Sequence, residues 1–312
     1  MRISTHALRH SIPESEADMK KENIPENTLI KKSRASQIWR QYKKNKGAVI
    51  GLITLLLIIC GAIFSHFYFD FSKDITGINV MERLQGPSMK HPFGTDNMGR
   101  DVFARVCYGA QYSLVIGILS VVISVVFGSL IGAAAAFIGG TVEEIIMRIV
   151  ELLLMIPGIL LVIMIVYCLG TSIPNLILAL GLSTVPHFAR NARAAVLTVR
   201  ANDYVEAASA LGASKWKILF KHVLPNALSP ILVQATSRVA GCIIDAAGYS
   251  FLGLGVPAPL PEWGAMLSDG RPYMREYPYL EIFPGLAIII TVLAINQIGD
   301  GLRDALDPKL KR

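Results

Sequence analysis

Charge is scarce in this chain. Asp, Glu, Lys and Arg make up 17% of its 312 residues, where a soluble domain carries about 25%. The shortage argues against a large soluble core. Cysteine is scarce too. Cys60, Cys107, Cys168 and Cys242 show no CxxC spacing, which speaks against a disulfide framework or a zinc site, and they read as small apolar fillers. No GxxxxGK[ST] loop is present, so the chain has no phosphate cradle of its own and is not expected to hydrolyse ATP. The apolar runs contain no credible catalytic cluster and no convincing internal repeat. No cofactor and no metal site is expected.

What the chain has is apolar length. Hydrophobic residues reach 53%, in long runs separated by short charged segments. A hydrocarbon core about 30 Å thick takes roughly 20 apolar residues per helix. That ruler predicts an all-α, polytopic membrane bundle of about six transmembrane helices. They fall near residues 48–67, 112–138, 143–168, 173–196, 227–251 and 282–299. Helices are the natural spanning form because each satisfies its own backbone hydrogen bonds in lipid. Pro174 and Pro186 interrupt the fourth run, and Pro284 opens the sixth.

The net charge of +7 has its explanation in the same pattern. Cations cluster in three places: Lys20 to Lys46, Arg190 to Lys221, and Arg303 to Arg312. With an even number of spans all three fall on one side, and the positive-inside rule makes that side the cytoplasm. The lipid bilayer, not nucleic acid, is the expected partner of these charges. Residues 68–111 mix both signs, as befits the opposite face. The first apolar run follows a long polar tail and reads as an anchor retained in the membrane, not as a cleaved signal.

The expected organisation is a disordered cytoplasmic tail at 1–35 and a basic interfacial helix at 36–47, where Ile38, Trp39 and Tyr42 sit among cations. A first span with an external loop follows at 48–111, then a core at 112–312. In the external loop Asp96 and Asp101 bracket Arg100, which suggests a local ion-pair network. Gly128 and Gly132 in "GSLIG" suit close helix contact. Thr141, with Glu144 three residues later, resembles a capping box. The fifth span carries Gln234, Ser237, Arg238 and Asp245. Arg238 and Asp245 are seven positions apart and share one helical face. They suit either an ion pair that holds the bundle together or a polar patch on a translocation route.

The segment "EAASALGASKWKILFKHVLPN", Glu206 to Asn226, interrupts this apolar pattern. Asp203 and Glu206 suggest a cap and a short helix. Gly212 suits the left-handed position that ends it, Ser214 can cap a second helix, and Pro225 should stop that one. Trp216, Leu219, Phe220 and Val223 form an amphipathic stripe. Helix, glycine elbow and helix read as a docking knob or as a hairpin lying on the bilayer surface.

Glu206-Ala207-Ala208, then Gly212, then Leu224-Pro225 resembles the EAA loop of ABC-importer permeases. His222 stands where the usual pattern has Ile, as it often does in peptide-type permeases. "NKGAVIGL", "GTDNMGRDVFARVCYGAQYSL", "SFLGLGVPAPLPEWGAMLSDGR" and "GDGLRDALDPKL" are similar to further signatures of that family. Tyr249 replaces a common Leu before "SFLGLG". The resemblance covers the chain from about residue 36 onward. It implies a type I permease fold in the inner membrane and a heterodimer with a second homologous permease. It also implies two cytoplasmic ABC ATPase subunits and an extracytoplasmic substrate-binding protein. The cargo it implies is di- or oligopeptides, with nickel, a metallophore or glutathione as alternatives. Glu206, Ala207, Ala208, Gly212, Trp216, Leu224 and Pro225 would form the ATPase-coupling loop. A secondary transporter using Asp245 for ion coupling is the rival class.

Overall fold

The computed structural model describes residues 34–306, so all but the last two residues of the tail expected at 1–35, and the last cations of the chain, lie outside the described residues. The regular elements among those residues are all helical, with one isolated bridge, Thr95 to Asp101, and no strand. Helix α1 (Arg34–Tyr42) leads into α2 (Lys46–Tyr68), α3 (Val102–Ile138), α4 (Gly140–Met155) and α5 (Gly158–Leu169). Next come α6 (Ile173–Arg200), α7 (Asp203–Ala210), α8 (Lys215–Ile218), α9 (Leu224–Phe251), α10 (Trp263–Gly270) and α11 (Tyr279–Leu306). Residues 200–226 project from one end of the bundle, its lower end. Residues 69–101 and 252–278 cap the upper end.

Among the described residues, four helices are long and apolar enough to cross a membrane: Lys46–Tyr68, Val102–Ile138, Trp216–Phe251 and Tyr279–Leu306. The third expected span is not straight. It breaks at Ile156-Pro157, and α4 and α5 meet at a bend of 88°. Pro157 has no N–H to continue the ladder, and it disfavours helical backbone at the residue before it. The fourth, α6, runs for 28 residues. Its second half carries His187, Arg190, Asn191 and Arg193, so its composition falls short of a lipid-facing span. It does not need to face lipid. Its Leu176, Leu180, Phe188, Ala189 and Ala192 are buried in the bundle.

The α3–α6 seam sets the architecture. An added Cβ at Gly132 would lie 2.0 Å from Ala189 O, and one at Gly128 2.5 Å from Phe188 Cβ. Only glycine lets the two backbones approach this closely. Ser124 Oγ seals the seam by donating to Gly181 O at 2.8 Å.

Local chemistry departs from expectation at several helix ends. Thr141 is not a cap: α4 starts at Gly140, and Gly139 with φ +74° takes the cap position. Of the two aspartates that bracket Arg100, Asp96 holds it, at 2.6 Å. Asp101 instead caps α3 through Ala104 N and bonds His91 Nδ1 at 2.7 Å. Arg100 also reaches Asp269 at 3.5 Å, which ties the loop to α10. Burial raises the Asp269 carboxyl above the usual range, against the pull of Arg100 and Arg105. Glu262 is buried and caps α10, accepting from Gly264 N, Ala265 N and Ser113 Oγ. In α1, Trp39 is half-exposed beneath Lys43. Tyr42 is buried with Ala48 and Ala305 and donates to Ala48 O at 3.0 Å, so α1 is folded against α11.

Candidate functional site: a projecting elbow and a charged cavity

The projection begins where α6 ends. Asn202, not Asp203, holds the N-cap position of α7, and its side chain turns back to Thr198 O and Val199 O. Asp203 and Glu206 fall within the first turn, where carboxylates favour the helix dipole. The helix ends in a Schellman arrangement: Ala213 N donates to Ala208 O at 3.1 Å and Gly212 N to Ser209 O at 3.0 Å. Gly212 has φ +79°, a conformation glycine adopts without steric cost.

The expected stripe divides. Leu219 and Val223 are buried with Val205, Ala136 and Val196. Trp216 and Phe220 stack on each other, each 63% exposed, and Leu211 at the tip is 89% exposed. Glu206 and Ala207 are exposed and Ala208 partly so. Pro225 does not end a helix. A π-turn over Leu219–Val223 carries the chain from α8 into α9, and Leu224 N bonds Leu219 O. Pro225 then sits in the first turn of α9, where its missing N–H costs nothing. Glu206, Gly212 and Trp216 thus lie on the projection, while Leu224 and Pro225 form its root. A clamp that sequence reasoning missed closes the loop: Asn226 Nδ2 donates to Tyr204 Oη at 3.2 Å and to His222 O at 2.7 Å.

Higher in the bundle, α6, α9 and the first residues of α5 line an open cavity of about 640 Å³. Arg238 Nη2 donates to Asp245 Oδ2 at 2.7 Å on its wall. Gln234 and His187 also line it. Ser237 does not; it turns towards Gly299 of α11. His187 went unnoticed in the sequence, although Ser183 and His187 lie one turn apart on a single face of α6. No group of His, Cys, Asp and Glu suited to a metal occurs among the described residues.

A multi-pass helical bundle with an elbowed, aromatic-tipped projection and a charged cavity between helices defines the class: a membrane transport subunit. Residues 124–312 match the family described as binding-protein-dependent transport system inner membrane component. Residues 33–87 match the N-terminal TM domain of oligopeptide transport permease C. The chain belongs to this family of ABC-transporter permeases. It is 44% identical over 287 residues to the dipeptide transport system permease protein DppC of Alkalihalophilus pseudofirmus, covering 92% of this chain and 94% of that one. It is 42% identical over 276 residues to the glutathione transport system permease protein GsiD of Pectobacterium atrosepticum, covering 88% and 91%. Among solved structures, a chain of the inward-facing MetNI methionine ABC transporter shares the fold. It has a TM-score of 0.55 at 21% identity, over 65% of this chain and 96% of that one.

Proposed function

We propose that this permease forms half of the translocation path for short peptides. The dipeptide and glutathione permeases that it resembles over nearly their whole length support that cargo. In this reading the chain pairs with a second homologous permease. Two ATPase subunits sit at the lower end and an extracytoplasmic binding protein at the upper. The lower end, with α1 and the C-terminus of α11, faces the cytoplasm.

The observation that carries the reading is the projection. It exposes Leu211, Trp216 and Phe220 at its surface, yet Val205, Leu219 and Val223 root it in the bundle. An apolar tip on a rigid root suits insertion into a groove of an ATPase. Glu206 stabilises α7 and contacts the ATPase. Ala207 and Ala208 keep that face thin, Gly212 sets the elbow angle, and Leu224-Pro225 joins the loop to α9. Movement of the ATPase pair then biases a two-state bundle that cargo biases from the other side.

The test is ATP-dependent uptake of a labelled dipeptide into proteoliposomes holding the complete importer. Uptake should stop when the ATPases or the binding protein are omitted. Uptake that persists without the ATPases and follows an ion gradient would establish the secondary-transporter class instead.

A further inference from the structure

Arg238 and Asp245 both reach the cavity between α6 and α9 half-exposed, with side chains 32% and 39% accessible. Their bond runs along α9 instead of across it. Gly241 makes the room: an added Cβ there would stand 3.0 Å from Arg238 Nη1. Gly248, further along the same wall, has nothing within 4 Å of such an atom. The two charges therefore lie flat along α9 over Gly241 and cancel each other. Unpaired charge at this depth is costly, and pairing removes most of that cost while the cavity is empty. The bond to Asp245 is made by Nη2, while Nε is shut away from the cavity without a hydrogen-bond partner among the described residues. Once turned from Asp245, the fork can present two parallel N–H groups to a carboxylate.

We infer that Arg238 and Asp245 form a subsite for the charged ends of a short peptide, filled by exchange of partners. The peptide carboxylate takes Arg238, and its ammonium group takes Asp245. This inference rests on the peptide-permease reading above. Geometry sets the length of the cargo. Seven helical positions separate the two backbones by about 10.5 Å. An extended peptide covers at most about 3.3–3.6 Å per residue. With each side chain standing out from its own backbone position, that distance matches roughly two or three residues. Only a cargo with both ends free replaces both halves of the broken ion pair. A cargo capped at one end leaves a charge without a partner, and that residue alone carries the penalty.

The experiment measures equilibrium binding to the permease–ATPase complex in nanodiscs, without the binding protein, so that only the path selects. The probes are radiolabelled Gly-Phe, its N-acetyl form and its C-terminal amide. Wild-type complex should bind Gly-Phe in preference to both capped forms. Arg238→Gln should weaken Gly-Phe at least about ten-fold. It should lose the discrimination against the amide and keep that against the acetyl form, and Asp245→Asn should do the reverse. Arg238→Lys should recover part of the binding. Equal losses for all three probes in both neutralised variants would overturn the subsite and leave a bundle ion pair. Dipeptide uptake by the complete wild-type importer separates the two levels. Uptake with no end-group selectivity in the nanodiscs sinks only the subsite. Absence of any peptide uptake sinks the cargo reading itself.

Discussion

Gly212 gives the sharpest test of the projection. Its φ of +79° lies in the left-handed region, and an added Cβ meets no atom within 4 Å. A substitution there is therefore not opposed by a clash. The penalty is confined to the backbone, about 1–2 kcal/mol for a residue with a Cβ. That lowers the population of the native elbow roughly 5–30-fold relative to competing loop conformations. Valine, branched at Cβ, falls at the severe end, and asparagine tolerates this region. The expected order of ATP-driven dipeptide uptake is wild type, then Gly212→Asn, Gly212→Ala and Gly212→Val. The last should be down about ten-fold at unchanged membrane insertion, because the strain stays within one exposed turn. Stimulation of ATPase activity by loaded binding protein should fall with it. A Gly212→Val permease that transports at the wild-type rate would refute the claim that the elbow angle matters. Asparagine failing as badly as valine would refute the backbone argument, since it would implicate side-chain bulk instead.

Other outcomes follow from the same geometry. Trp216→Ala with Phe220→Ala should insert normally but recover less ATPase on co-purification, since both rings keep most of their surface exposed on the projection. Gly132→Val should lower the thermal stability of the detergent-solubilised permease by at least about 1–3 kcal/mol. It drives a side chain into Ala189 O across the α3–α6 seam. Glu262→Ala leaves Gly264 N, Ala265 N and Ser113 Oγ without their buried acceptor. A loss of about 1–3 kcal/mol is expected in the same unfolding assay, and Glu262→Gln, which retains an acceptor, should lose less.

The apolar spans were legible because hydropathy reports directly what lipid tolerates. It reports nothing about direction, which is why the bend at Pro157 was hidden inside one apolar run. It also undervalues a helix that other helices cover, as α6 shows: its cations mark a seat beside α3, away from lipid. The elbow was legible at Gly212, where one residue type answers one backbone requirement. Pro225 misled because a missing N–H stops a helix only in its interior. Here a π-turn places that residue in a first turn, where no such bond is needed. The same turn explains why a stripe at helical spacing divided into a buried pair and an exposed pair. The clamp of Asn226 on Tyr204 and the position of His187 depend on how separate helices meet, and no local pattern encodes that.

The helical run from Trp216 to Phe251 is 36 residues long and passes through the π-turn at Leu219–Val223. Leu219 and Val223 seat it near one end, and Ile231, Ala240, Ile243 and Ala246 seat it further along. A rod held at so many points works as a piston, not as a lever: it shifts as a whole. Arg238 and Asp245 both ride on it, so such a shift carries their closed pair past His187 of α6 without parting it. In the subsite proposed above, opening the pair falls to the cargo alone.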